Sequence, residues 1–564
     1  MVTVTEPREP GAVANTLRWF RRVDVLAVMV FVLVFLYRFN GLGGALGGFD
    51  GDHFIYYLGA KQVAHGERPL RDFSDAGLQG AWPALTYELP ALAQKIGGEN
   101  LLSEAVFVVG AVATALTVLF VTAARMAGPL PAFVMTMATL LTATKLYGYS
   151  KLVVFAGAAA LFLRYARRPT RSSLALLAVW SAVAFLFRHD YLVYLAPAAA
   201  VLIVLAPSEW RSAIGRLSAY VALVTILVAG PLYSIQHFVG LRSYVETNWE
   251  IGQSEQRRTH LRWPTFTPTG SVTDFVEDED NAAAFLYYLC LSIPPLAVSA
   301  LWWSPLPRDL DVQQRRAVII SLAVLASILN WYLLRGNLPA RIGDLGAPIA
   351  ILAAWLTTTV RESPAGVKMA ARGITALVLV AATMAISTIG SVWHELDTTG
   401  FRDSAKKIVR RVGAVSSQLR ALPPRAGSVS ADGPTVADYI HACTSPSQRV
   451  LVVADAPEIL AIAARSPAAG HMTFRPGFYR LDHDQRLMLE RLRTQDVPIV
   501  VTDLERTYRQ NFASQFTLID DFIMKHYELV GELPALAGDP VRVFVRRGPP
   551  VTSHYGSTSL PCSF

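Results

Sequence analysis

The segment FDGDHFIYYLGAKQVAHGERPLRDFSD, residues 49–75, places four aspartates, Asp50, Asp52, Asp72 and Asp75, directly after an apolar run suited to lipid. A carboxylate can accept the proton of an alcohol as that oxygen attacks, provided it lies within hydrogen-bond reach. If the group that departs is a phosphate, cations must stand ready for the growing negative charge, and the planar fork of an arginine suits this well. Such cations exist here. Lys145, Lys151, Arg188, Arg335 and Arg341 fall at the ends of apolar stretches. FLFRHDYLVYLAP puts Arg188, His189 and Asp190 in a turn with no local need of charge, and LLRGNLPARIGD supplies Arg335, Arg341 and Asp344 in another. Each residue also has a plain reading. Asp52 can cap the helix that carries Phe54, Tyr57 and Leu58. The cations can snorkel to headgroups or pair locally, Arg188 with Asp190 and Arg341 with Asp344.

What positions these groups is a bilayer. Of 564 residues, 52% are hydrophobic and 17% charged, and mean hydropathy is +0.36. Soluble domains run near a quarter charged, so the chain is short of water-facing side chains. The net charge of +8 sits in short clusters between apolar runs, as in cytoplasmic membrane loops. No arginine-rich arm with interleaved aromatics occurs, so nucleic acid is not an expected partner. Crossing about 30 Å of hydrocarbon takes roughly 20 residues. Stretches near 23–39, 103–125, 129–146, 150–166, 172–188, 190–206, 217–237, 283–303, 316–334, 344–360 and 372–391 give about 11 spans. The first lacks a small-residue cleavage site and reads as an uncleaved span.

The basic loops orient the chain. Arg18, Arg21 and Arg22, then Arg164, Arg167, Arg168 and Arg171, then Arg211 and Arg216, then Arg308, Arg315 and Arg316, then Arg361, Lys368 and Arg372 all fall on one side. That side is the cytoplasm by the positive-inside rule. The N-terminus is then cytoplasmic, and the segments 40–102, 238–282 and 392–564 lie outside. The expected division is a transmembrane part, 1–391, followed by an extracytoplasmic α/β domain, 392–564. RVLVVAD, VPIVVTD and VRVFVRR read as buried strands, with helical spacing in APEILAIAAR and HDQRLMLERLRTQ between them. No GxGxxG follows the first strand, so a dinucleotide site has little support.

In the first outer loop, Trp82, Leu85, Leu89, Leu92 and Ile96 share a helical face, with Pro83 in the first turn and Pro90 inside. That helix lies in the interface or packs on the spans. In the loop 238–282, Tyr244, Trp249 and Trp263 suit either stacking on sugars or anchoring at the membrane surface. Cys443 and Cys562 both fall outside, where disulfides persist, and are expected to bridge. Cys290, in a span, reads as a packing residue.

Asp52-His53-Phe54-Ile55-Tyr56, then Ala60 and Gly66, then Pro69-Leu70-Arg71-Asp72-Phe73 resemble the first outer loop of GT-C membrane glycosyltransferases. The nearest flavour is the family of dolichyl-phosphate-mannose protein mannosyltransferases and the lipid A aminoarabinose transferase. The resemblance covers about 50 residues at motif level, with the span count and outer domain beside it. His53 stands where the family has Glu, and Ala76-Gly77-Leu78 where it often has His-Pro-Pro. The resemblance implies a multi-span α-helical enzyme of the cytoplasmic membrane. Its substrates would be a polyprenyl-phosphate sugar donor and an extracytoplasmic glycan, lipid or protein acceptor, with transfer by inversion. The family's catalytic aspartate maps onto Asp52, with Asp50 its rival and Asp72 in support. Arg188, Arg335, Arg341 and Lys151 are the candidates for donor phosphate, and Tyr56, His53 and Trp249 for the substrate loop. A divalent cation on the aspartates is possible in principle but not indicated by their spacing. The rival readings are a transporter or lipid flippase, against which the plain span interiors speak, and a non-catalytic membrane scaffold.

Overall fold

The computed structural model describes residues 10–42, 51–74, 82–142, 145–206, 210–259, 263–303, 310–334, 337–362, 365–421, 435–475, 477–503, 512–534, 540–548, 553–556 and 560–562. In lipid a backbone must satisfy its own polar groups, so apolar stretches fold as helices. Each stretch read above falls on one. Val23–Gly41, Leu101–Ala127, Leu146–Arg167, Ser212–Phe238, Glu279–Leu301 and Gln314–Leu333 are the six, among the described residues, long and apolar enough to cross a membrane. Leu377–Ile389 and Val392–Thr398, bent by 56°, make a seventh if taken as one span. Pro129–Thr142, Arg171–Phe187, His189–Leu205 and Ile342–Thr358 are apolar but shorter. The estimate of about 11 full crossings is therefore coarser than what is seen. A helix of 17 residues such as Arg171–Phe187 rises only about 26 Å, short of the roughly 30 Å of hydrocarbon.

Val25, Met29, Val193, Ile226 and Leu377 are each at least 60% exposed, an arrangement that water would not tolerate across so many helices but lipid does. The chain is a multi-pass membrane protein. Small residues let its helices approach closely. Ala105, Ala113, Ala123 and Ala124 bury the centre of Leu101–Ala127, which packs on Pro10–Gly41, Pro129–Thr142, Tyr149–Arg167 and Gly346–Glu362. A Cβ on Gly157 would lie 2.2 Å from the Trp180 ring, and Trp180 Nε1 donates to the Val154 carbonyl at 2.9 Å.

Beyond the helices lies a five-stranded mixed sheet. Its strands are β1 (Arg449–Val453), β2 (Ser466–Pro467), β3 (Ile499–Asp503), β4 (Tyr527–Leu533) and β5 (Val541–Arg546), in the order β2-β1-β3-β5-β4. β1 runs parallel to β2 and β3, while β5 runs antiparallel to β3 and β4. Val450, Leu451, Val452, Ile499, Val500, Val501 and Val543 are buried at 0–1% exposure, because helices cover both faces and leave no polar side to the strands. Cys443 and Cys562 are bonded, their Cα atoms 4.7 Å apart.

This sheet region grips the segment that follows the first apolar helix. Arg449 pairs with Glu67, and the Ser74 amide donates to the Gly470 carbonyl at 2.7 Å. Arg491, almost wholly buried, donates to the carbonyls of Leu70 (2.8 Å) and Arg71 (3.1 Å). Within that segment, the helix Gly51–Ala64 packs on Leu85–Gly97 so tightly that a Cβ on Gly59 would meet Tyr87 at 2.4 Å. Leu85–Gly97 buries Thr86, Tyr87, Pro90, Ala91 and Gln94 and exposes Leu92 and Ile96. One face packs on protein, and the other exposes Lys95 beside Leu92 and Ile96. Pro83 precedes this helix instead of opening it.

Candidate functional site

Asp52 lies in the first turn of Gly51–Ala64, where the exposed amides of a helix N-terminus favour a carboxylate. Its partner comes from the sheet region. Arg475 Nη2 donates to Asp52 Oδ1 at 2.5 Å, and Arg475 Nε donates to Asp455 Oδ1 at 2.8 Å. Thr473 Oγ1 adds a bond to the same Asp455 oxygen at 2.8 Å. One guanidinium thus bridges two carboxylates. Burial raises the Asp52 carboxyl, but the Arg475 charge and hydrogen bond, with the Tyr147 hydroxyl and the Lys145 charge, outweigh it and hold the group below the usual carboxylate range. The side chain is still 29% exposed, so a substrate can reach it.

A run of aromatic contacts leads from Asp52 toward the cations. Tyr147 bonds to Asp52, receives a hydrogen bond from Lys145 Nζ at 2.9 Å, and stacks on Tyr56 with centroids 5.8 Å apart. Tyr56, one helical turn after Asp52, lies close enough to Arg188 for the two to interact electrostatically. Arg188 sits between the helices Arg171–Phe187 and His189–Leu205. Its Nε donates to Asp190 Oδ1 at 3.0 Å, and its Nη2 to Asp190 Oδ2 at 2.8 Å and to the Tyr332 hydroxyl at 3.4 Å. Its guanidinium lies 5.1 Å from the Tyr191 ring centroid. Lys151 pairs with Asp344, stands 5.8 Å from the Tyr332 ring, and feels the charges of both Arg188 and Arg341. Three cations share this group with two carboxylates, which leaves a positive balance.

Of the residues singled out in the sequence, then, Asp52, Tyr56, Arg188, Lys151 and Arg341 are brought into one connected set. Asp72 serves its own turn. It accepts from the Arg68 amide at 2.7 Å and from Arg71 Nη2 at 2.6 Å. His53 is 1% exposed, and burial pushes its imidazole down to about 3, so it is neutral. Trp249, on the helix Leu241–Thr259, is 70% exposed. Asp50 and Arg335 lie outside the described residues, as does Asp75. Among the described residues no three His, Cys, Asp or Glu side chains are grouped to hold a metal ion.

Sequence reasoning missed Arg475, Asp455 and Tyr147, and it missed a second feature. A cavity of about 170 Å³ opens between the segment carrying Leu70 and Ser74, the helix Leu241–Thr259 and the helix Asp482–Thr494. Thr247 Oγ1 spans it to Asp484 Oδ1 at 3.0 Å and His483 Nε2 at 3.0 Å. Burial raises the Asp484 carboxyl to about 6 against the opposing pull of His483 and Thr247. Tyr244, in the cavity wall, is hydrogen-bonded to His189 Nδ1 at 2.9 Å, next to Arg188. Glu250 pairs with Arg480 and fixes the helix Leu241–Thr259 to the sheet region.

No family model matches the chain, and no curated protein does. Solved structures do resemble it. ArnT from Cupriavidus metallidurans bound to undecaprenyl phosphate is 14% identical, with a TM-score of 0.47 over 92% of this chain and 97% of that one. The Archaeoglobus fulgidus oligosaccharyltransferase in complex with Zn and sulfate is 14% identical, with a TM-score of 0.44 over 90% of this chain and 71% of that one.

Proposed function

We propose that this chain is a membrane glycosyltransferase of the GT-C kind that moves one sugar from a polyprenyl-phosphate donor to an acceptor outside the cytoplasmic membrane. The observation that carries this reading is the continuity of Asp52, Tyr147, Tyr56 and Arg188, which sets an ionised carboxylate and a cationic group at two ends of one aromatic wall. The donor's phosphate lies against Arg188, Lys151 and Arg341, whose positive balance favours an anion. The acceptor hydroxyl approaches the sugar's anomeric carbon from the Asp52 side. Its oxygen forms the new glycosidic bond as the bond from that carbon to the phosphate oxygen breaks, and its proton passes to Asp52. The departing phosphate keeps the electron pair, so a single displacement inverts the centre.

A carboxylate held below its usual range is a weak base toward a free alcohol. Its proton transfer is therefore late, occurring as the attacking oxygen turns acidic. In this reading the N-terminus is cytoplasmic, the chain to about residue 391 is the transmembrane part, and the rest is an extracytoplasmic domain that closes over Asp52. The test incubates the protein in lipid with radiolabelled polyprenyl-phosphate sugars and a membrane extract, beside Asp52→Asn. Transfer that Asn lowers by about 10²–10⁴-fold is expected. Transfer at the wild-type rate in Asp52→Asn rejects the base, and no transfer from any donor rejects the reading.

A further inference from the structure

We infer that the cavity between Leu241–Thr259 and Asp482–Thr494 is an acceptor subsite that takes one uncharged, hydroxylated sugar ring, anchored by Asp484 and Thr247. This inference rests on the transferase reading and narrows its acceptor to a neutral glycan. Size is the first ground. At about 170 Å³ the cavity is well below the roughly 300–1,000 Å³ of sites for drug-sized ligands, so a single ring is what it can enclose.

Charge is the second ground. Ser74, Ser243, Thr247, Asn248, His483 and Asp484 present hydroxyl, amide, imidazole and carboxylate groups, and among the described residues no lysine or arginine lines the space. Arg491 and Arg480, which flank the space, spend their hydrogen bonds elsewhere. Arg491 donates to the Leu70 and Arg71 carbonyls, and Arg480 pairs with Glu250. A phosphorylated headgroup would bring its charge against Asp484 with only the His483 imidazole in the lining to meet it, and like charges brought together without water disfavour binding. A neutral ring instead offers hydroxyl donors to Asp484 and acceptors to Asn248 and the serines. Tyr479 and Tyr244 supply flat faces to its apolar side.

Location is the third ground. Tyr479 follows Arg475, the partner of Asp52, by one short turn of chain, and Tyr244 is bonded to His189 beside Arg188. A glycan held here by one ring can extend its next ring toward Asp52.

The test uses the full chain in lipid nanodiscs with ligand-observed saturation-transfer NMR. The probes are methyl β-galactopyranoside, methyl α-mannopyranoside, methyl α-arabinofuranoside and galactose 6-phosphate, at up to about 50 mM. At least one neutral glycoside is expected to bind about tenfold more tightly than the phosphate. Asp484→Asn should weaken it about tenfold, and Ser243→Phe, which fills the space while keeping every charge, should abolish it. Arg242→Gln, on the exposed face of the same helix, should leave it unchanged. Phosphate binding as tight as the glycosides, binding that survives Ser243→Phe, or no glycoside binding at all overturns the inference. Glycoside binding without transfer from any donor sinks the transferase reading instead and leaves the cavity a sugar site.

Discussion

Arg475 Nη2 meets Asp52 Oδ1 at 2.5 Å across 423 residues of sequence, and the same guanidinium holds Asp455. The consequence is a carboxylate kept ionised by a residue from the far end of the chain. Because the folded-state pKa of Asp52 is depressed, the pair stabilises the fold above the ordinary carboxylate range, and this contribution is lost as pH falls through the depressed value. Arg475→Gln is expected to destabilise at neutral pH by about 1–3 kcal/mol, with the difference from wild type shrinking in acid. The acid limb of kcat/KM should move to higher pH, while Arg475→Lys should restore most of the wild-type profile. Thermal melts and a pH–rate profile check both. An acid limb that stays in place in the Gln variant means that Asp52 does not set it.

Arg188 spends the Nε–Nη2 edge of its planar fork on Asp190 and Tyr332. A compact ammonium cannot reproduce that fork. Arg188→Lys should raise the donor KM or lower kcat by about tenfold, and Arg188→Gln by about 10–100-fold. A purely local role predicts something else, since breaking the Asp190 pair would then lower the melting temperature equally in Arg188→Gln and Asp190→Asn with kcat/KM unchanged in the protein that survives. Steady-state kinetics against donor concentration, run beside melts of both variants, separates the two.

Much of this arrangement is legible in one dimension. The apolar stretches are helices because length and hydropathy alone decide that in lipid, and Asp52, Arg188, Lys151 and Arg341 stand out because charge beside an apolar stretch is costly without a purpose, whereas Tyr56 stands out only through the resemblance of its motif. The shorter helices blurred the span count, since a run of apolar residues does not reveal that it stops short of the bilayer's thickness. Spelling does not show that Asp72 accepts from the Arg68 amide, a bond that exists only once the chain turns between them. Arg475 was out of reach for a different reason. It sits in the stretch HMTFRPGFYR with no periodicity to mark it, and its contact with Asp52 arises only when the sheet region folds back on the helix Gly51–Ala64. The cavity at Asp484 is likewise made by three segments far apart in sequence, which no spacing rule connects.

The bond between Cys443 and Cys562 spans 119 residues and encloses the whole sheet. A closure of that length restricts the unfolded chain strongly, about 4–5 kcal/mol in the chain-entropy model. Cys443→Ser with Cys562→Ser should therefore lower the melting temperature of the sheet region, and wild-type protein treated with reductant should approach the same value. Intact mass under non-reducing conditions must show two hydrogen atoms fewer than the reduced chain. Two free thiols in the untreated protein would remove the disulfide altogether.

Helix packing gives a sharp contrast between two glycines. A Cβ on Gly157 would stand 2.2 Å from the Trp180 ring, whereas one on Gly110 meets nothing within 4 Å. Trp180 cannot retreat freely, because its Nε1 is bonded to the Val154 carbonyl one turn before Gly157. Gly157→Val must therefore push two helices apart, at a cost of about 1–3 kcal/mol for overpacking, and more if the bond to Val154 breaks. Gly110→Ala removes backbone freedom without a clash and should be neutral or stabilising by up to about 1 kcal/mol. Fluorescence-detected size exclusion after a temperature ramp reads both. Equal melting temperatures for the two variants would mean that the helices carrying Gly157 and Trp180 do not approach as closely as these contacts require.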